Sequence, residues 1–194
     1  MGKRSSFNRQ PRDFYPTPLQ AVIPLFAHLP PAFAYVEPCA GDGALCRALG
    51  RDPVFACDIN PQWDQAKAAD ALRITESQMH GANFIITNPP WDRKMLHPMI
   101  DHFSRLRPTW LLFDADWVHT TQKIVAKKYG VKTVPELMQH CRKIVSVGRV
   151  KWIPDSKMTG KDNCAWYLFD QTGVYSGPTI FHARTETFTP PNKP

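Results

Sequence analysis

The sequence predicts an α/β domain with a mostly parallel sheet covered by helices on both faces. Three observations predict it. Apolar runs of strand length recur along the chain, helix-length segments lie between several of them, and the first run ends in a glycine-rich turn, where such folds bind ligands. Residues 1–13 are polar and basic and read as an arm. Residues 19–29 have helical apolar spacing, and Pro24 marks a kink or break there. Residues 33–37, 54–58, 84–88, 110–114, 143–153 and 165–170 read as strands. Residues 43–49, 93–106, 121–128 and 136–141 read as helices between them. The last two strands are joined by residues 154–163, too few for a helical crossover, so they should pair antiparallel. From residue 171 onward Gly173, Gly177, Pro178, Pro190, Pro191 and Pro194 read as loop with at most one short edge strand.

The 194 residues fit one domain, expected over 14–170 between the arm and a 171–194 tail. An apolar share of 43% supports a packed core and excludes a disordered chain. The net charge of +7 points to a polyanionic partner. Between Trp117 and Lys161 ten Lys and Arg face two acids, Glu136 and Asp155, an excess larger than the whole net charge. A second basic cluster, Lys3, Arg4, Arg9 and Arg12, lies in the arm. The alternative is a solvated surface that keeps the chain soluble.

The cysteines, Cys39, Cys46, Cys57, Cys141 and Cys164, are odd in number and form no CxxC. Neither a disulfide framework nor a metal site is indicated, and free thiols fit a reducing cytoplasm. No apolar run reaches membrane-spanning length and no signal peptide is visible, so no membrane partner is expected. The start Met1-Gly2-Lys3-Arg4-Ser5-Ser6 formally matches a myristoylation pattern, but chance supplies so short a match readily.

The first strand leads into Glu37-Pro38-Cys39-Ala40-Gly41-Asp42-Gly43. A glycine turn between strand and helix lets backbone N–H groups approach a ligand. The third glycine of a GxGxxG fingerprint would fall at Cys46, and no GxxxxGK[ST] occurs. A ligand with a carboxylate and no pyrophosphate therefore fits better. Asp58 ends the second strand, where it could accept from ribose hydroxyls. Asp70 follows where a third strand-end loop could take an adenine amino group. Each also has a structural reading: a plain tight turn, a solvated strand end and a helix cap.

The fourth strand runs into Asn88-Pro89-Pro90-Trp91. The prolines have fixed φ and no N–H, so they make a stiff extended turn. The Asn88 side-chain oxygen and the Pro89 carbonyl then form a pair of acceptors matched to a planar NH2 group. The Trp91 ring could stack on a flat heterocycle. The alternative is a strand end with a turn and a core tryptophan.

These residues carry a resemblance. Asn88-Pro89-Pro90-Trp91 resembles the [DNS]PP[YFW] motif of amino methyltransferases, and residues 37–43 resemble their S-adenosylmethionine loop. Phe14-Tyr15-Pro16-Thr17-Pro18 is similar to the F-x-P-T-P element of DNA N6-adenine methyltransferases. Trp152–Pro154, Gly160, Asp162–Cys164 and Trp166–Tyr167 are similar to a later pattern in small phage and prophage enzymes of that kind. The resemblance implies a Rossmann-like class I methyltransferase fold, with seven strands ordered 3-2-1-4-5-7-6 and strand 7 antiparallel.

It also implies roles. Phe14, Tyr15 and Thr17 would hold the methionine end of S-adenosyl-L-methionine, with Glu37, Cys39, Ala40, Gly41 and Gly43 around its amino-acid moiety. Asp58 and Ile59 would take the ribose, and Asp70 and Ala71 the adenine. Asn88 would border both the cofactor and the target, and Asn88, Pro89, Pro90 and Trp91 would be catalytic. The partner would be DNA, as a duplex with a flipped adenine or as a single strand, contacted by Arg93, Lys94, Lys123, Lys127, Lys128, Lys157 and Lys161. The amine becomes acidic only as it is methylated, so no strong base is needed beside Asn88. The chain leaves little room for a separate recognition domain, so a short or relaxed target sequence is expected. Adenine or guanine in RNA, a protein glutamine amide, and a non-catalytic cofactor- or DNA-binding role are the alternatives.

Overall fold

The computed structural model describes residues 14–153 and 159–185. The basic arm, the Met1–Ser6 pattern, Lys157 and Pro190, Pro191 and Pro194 lie outside them. In chain order the elements are α1 (Leu19–Phe26), β1 (Tyr35–Glu37), α2 (Ala44–Leu49), β2 (Phe55–Asp58), β3 (Lys67–Ala68), β4 (Phe84–Thr87) and α3 (Arg93–Leu106). Then follow β5 (Thr109–Asp114), α4 (Lys123–Tyr129), α5 (Val134–Met138), β6 (Cys141–Arg149), β7 (Asn163–Phe169) and β8 (Ile180–His182). Short 3-10 turns at Ala71–Arg73, Glu76–Met79 and Ala115–His119 connect some of them.

The sheet has eight strands in the order β3-β2-β1-β4-β5-β7-β6-β8. Neighbours from β3 to β5 are parallel, and β7 is antiparallel to both β5 and β6. This is the expected order with one strand added, β8, which pairs parallel to β6 at the edge.

Alternation along the strands builds two cores. Ile85, Leu111, Phe113 and Tyr167 face one side, under Leu96, Ile100 and Phe103 of α3. Ile86, Trp110, Leu112 and Trp166 face the other, under Val22 and Leu25 of α1 and Leu45 of α2. Successive residues of β5 thus enter opposite cores, and all six are buried, as a strand covered on both faces requires. Phe113 and Tyr167 stack across the β5–β7 pair at 4.2 Å.

Several boundaries differ from expectation. Pro24 does not break α1: the helix runs through it to Phe26 and its ring is buried. The carbonyl that loses its partner is that of Gln20, an exposed residue, so water can satisfy it. The helix expected at 136–141 begins at Val134, because Thr133 and Glu136 form a capping box, and it stops before Cys141, which opens β6. β6 ends at Arg149, after a register shift at Ser146/Gly148, so Lys151–Ile153 leave the sheet. β3, the third strand expected before Asp70, had no run of residues to place it, because it is two exposed residues with no apolar pattern. Among the described residues no helix is long and apolar enough to cross a membrane.

Candidate active site

The glycine turn is built from the tip of β1. Gly41 and Gly43 have φ of +52° and +79°, a region that favours glycine. A Cβ on Gly41 would lie 2.8 Å from the Phe14 ring, and one on Gly43 would lie 2.6 Å from Trp63. Phe14 therefore closes onto the turn, and Trp63, which sequence reasoning missed, packs against Gly43. Glu37 is fully buried. One carboxylate oxygen accepts from the Cys39 N–H at 3.0 Å, and the other has no partner among the described residues. Burial pushes the carboxyl up to about 8, against the opposing pull of the Cys39 N–H.

Asp58 ties the second strand to the turn. Its oxygens accept from the N–H groups of Gly41 at 2.9 Å and Asn60 at 2.8 Å. Asp70 caps the following 3-10 turn, accepting from the Leu72 N–H at 2.9 Å, with Arg73 at 3.9 Å. Asp70 thus has the capping role weighed for it, while Asp58 is not a solvated strand end but a half-buried tie to the turn. Each oxygen carries two lone pairs, so acceptor capacity remains.

The Asn88–Trp91 elbow is pinned from three directions. Asn88 donates from Nδ2 to the hydroxyl of buried Thr17 at 3.1 Å. The Trp91 indole N–H donates to Asn88 Oδ1 at 3.2 Å and to the Leu112 carbonyl at 3.1 Å. Arg93 donates to the Trp91 carbonyl at 3.0 Å and forms an ion pair with Asp114 at the end of β5. Trp91 is half-buried and packs against both cores. Trp152, from the stretch after β6, meets it edge-on at 5.7 Å and approaches Tyr15 at 6.3 Å.

One cavity of about 640 Å³ joins these parts. Phe14, Tyr15, Thr17, Cys39, Ala40 and Gly41 line it on the turn side. Asp58, Ile59, Asp70 and Ala71 line the flank, and Asn88 and Pro90 the elbow side. Of the expected residues, Glu37, Gly43, Pro89 and Trp91 do not line the cavity. Lining residues missed in the sequence include Asn60, Gln62, Met95 and Met99. Met95 and Met99 had a signal: they lie four apart, on one face of the helix that starts just past the elbow. Asn60 and Gln62 had none.

The basic residues divide. Arg93 is turned inward, its side chain 20% exposed and its charge matched by Asp114, so it braces the elbow rather than facing a polyanion. Lys94 pairs with Asp92 at 3.3 Å. Lys123, Lys127, Lys128 and Lys161 are exposed, with no ion pair among the described residues.

No family model matches the chain, and no curated protein matches it. Solved structures do. One, from work on complex assembly and conformational transition of the type I R-M system, gives a TM-score of 0.54 at 14% identity, over 91% of this chain and 46% of that one. The type IIG restriction endonuclease BpuSI gives 0.53 at 11% identity, over 81% of this chain and 25% of its own. A modification subunit of a putative type I restriction enzyme from Vibrio vulnificus YJ016 gives 0.50 at 14%, over 88% and 47%. The chain shares its fold with these restriction and modification structures, and its strand order is the one the resemblance implies with β8 added. The chain spans less than half of each of those three.

Proposed function

We propose that the chain is an S-adenosyl-L-methionine-dependent methyltransferase acting on the N6 amino group of adenine in DNA. The observation that carries this reading is the shared cavity: the glycine turn and the Asn88–Pro90 elbow line one space of about 640 Å³. The residues present fit the cofactor. The orphaned, buried Glu37 oxygen lacks a donor of the kind an amino-acid ammonium supplies. Asp58 and Asp70 offer acceptors to ribose hydroxyls and an adenine amine. Phe14, Tyr15 and Thr17 cover the turn. When bound, such a cofactor supplies an electrophilic methyl group and departs as a neutral thioether.

The chain's own work is positional. Asn88, which lines the cavity, accepts a hydrogen of the target amine through Oδ1 and raises electron density on its nitrogen, while Pro89 and Pro90 stiffen the elbow that carries it. Thr17 and Trp91 hold opposite ends of the Asn88 amide, so its oxygen is oriented before the amine arrives. The Trp91 N–H lies in the ring plane, so these bonds fix the ring's orientation without using its faces, and Trp152 and Tyr15 supply further aromatic surface beside it. The proton leaves to solvent once the N–C bond has formed. In a duplex the target base must leave the stack, at a cost of a few kcal/mol. The exposed lysines support a polyanion as substrate, and the fold shared with restriction and modification proteins supports DNA as that polyanion.

The test is incubation with methyl-labelled cofactor and separate pools of DNA, RNA and protein. Label in DNA as N6-methyladenine is expected. Label confined to RNA or to a glutamine amide would replace the substrate assignment, and cofactor binding without transfer to any pool would leave a non-catalytic binder.

A further inference from the structure

A surface outside the cavity bears on how the target is reached. It rests on the reading that DNA is the substrate. α4 carries Lys123, Lys127 and Lys128 and no acid. Among these lysines Ile124 is 84% exposed, more than any other large apolar side chain among the described residues. A lone exposed isoleucine is ordinary. One flanked by three ammonium groups with no ion pair among the described residues, of which Lys128 lies over the Tyr129 ring at 5.1 Å, is placed where a polyanion would bring its own apolar interior against it. The helix is rigidly backed. The His97 ring of α3 accepts from the Trp117 indole N–H at 3.0 Å, and its other nitrogen is 2.6 Å from the Lys132 carbonyl. These bonds hold the segments on either side of α4 against α3, which starts two residues past the elbow. Gln122, which precedes α4, is the one non-glycine residue with positive φ among those described, at 51°. Such strain persists only where the surroundings impose it.

We infer that Ile124 is a wedge that enters the base stack of duplex DNA and fills the gap left by the flipped adenine. Lys123, Lys127 and Lys128 hold the flanking phosphates. Apolar side chains of this size are suited to insertion between base steps. The substrate class is therefore paired DNA rather than a single strand.

The test compares three DNAs carrying one target sequence, found by sequencing DNA methylated by the wild-type protein. They are the paired duplex, the single strand, and a duplex with the target opposite an abasic site. Ile124→Ala should slow methylation of the paired duplex about tenfold and leave the other two rates unchanged, while Ile124→Phe retains the paired rate. In a paired duplex with 2-aminopurine at the target, Ile124→Ala should lower the fluorescence of the flipped base. Equal loss on all three DNAs, no loss on the paired one, or a wild-type protein active on single strands alone would each overturn the wedge and leave the methyltransferase reading intact. A wild-type protein that methylates no DNA sinks that reading and the wedge together, before any variant is made.

Discussion

Asn88 is held at both ends of its amide before any substrate arrives, by the Thr17 hydroxyl and the Trp91 indole. Preorganised acceptors of this kind act mainly in the transition state. Asn88→Ala should keep cofactor affinity within about twofold and lower turnover by roughly 10²–10³-fold. Calorimetry and a turnover assay check the two halves, and surviving turnover would remove the acceptor role. Glu37 gives a pH prediction. Its carboxyl is raised to about 8 by burial, so at pH 7 it is mostly protonated and must lose that proton to meet an ammonium. Cofactor affinity should therefore rise with pH up to about 8, with proton release on binding, and Glu37→Gln should flatten the profile. The same shift costs stability as pH rises from the unfolded carboxyl's range through 8, so Glu37→Gln should gain stability over wild type across that window. Denaturant midpoints at several pH values read this directly. Gly43→Ala meets Trp63 at 2.6 Å in a left-handed conformation and should destabilise by about 1–3 kcal/mol.

Two strand–turn–helix units make the site, β1–α2 around the glycine turn and β4–α3 around the elbow. The second is braced to β5 by the Arg93–Asp114 pair, whose side chains are 20% and 13% exposed. Arg93→Met leaves a nearly buried carboxylate unpaired, at a cost of about 3 kcal/mol. Adding Asp114→Asn should recover much of it, as a double-mutant cycle in denaturant would show; additive losses would mean the pair does not brace the elbow. These units were legible in the sequence because apolar strands ending in Gly or Asn-Pro-Pro announce themselves locally. α3 was read at its observed limits, since Asp92 caps it and its apolar face repeats at helical spacing. β3, by contrast, is two exposed residues held by pairing with β2. Arg93 and Trp91 were read by residue type, as a phosphate contact and a stacking face. Their partners, Asp114 and Leu112, lie 21 residues further along the chain, and only folding reveals such partners. Trp63 joined the site in the same long-range way, whereas Met95 and Met99 lie just past the elbow on one face of α3, a signal the sequence carried.

At the scale of the molecule, the sheet runs outward from β1 toward β3 and from β4 toward β5. A crevice opens where the order reverses, outside the carboxyl ends of the strands. Residues after β1, β2 and β4 meet there. Cofactor at about a hundred times its Kd should stabilise the fold by about 2.7 kcal/mol and raise Tm by roughly 5–10 °C. Thermal unfolding with and without cofactor checks this, and an unchanged Tm would exclude the cavity as its site. The most direct measurement concerns the joint between the two halves. A bisubstrate ligand, with adenine N6 tethered to the methyl-bearing position of a cofactor analogue, should bind roughly 10²-fold or more tighter than the analogue alone. Asp58→Ala and Asn88→Ala should each weaken it. A bisubstrate that binds no tighter than its cofactor half would contradict a single cavity serving donor and amine.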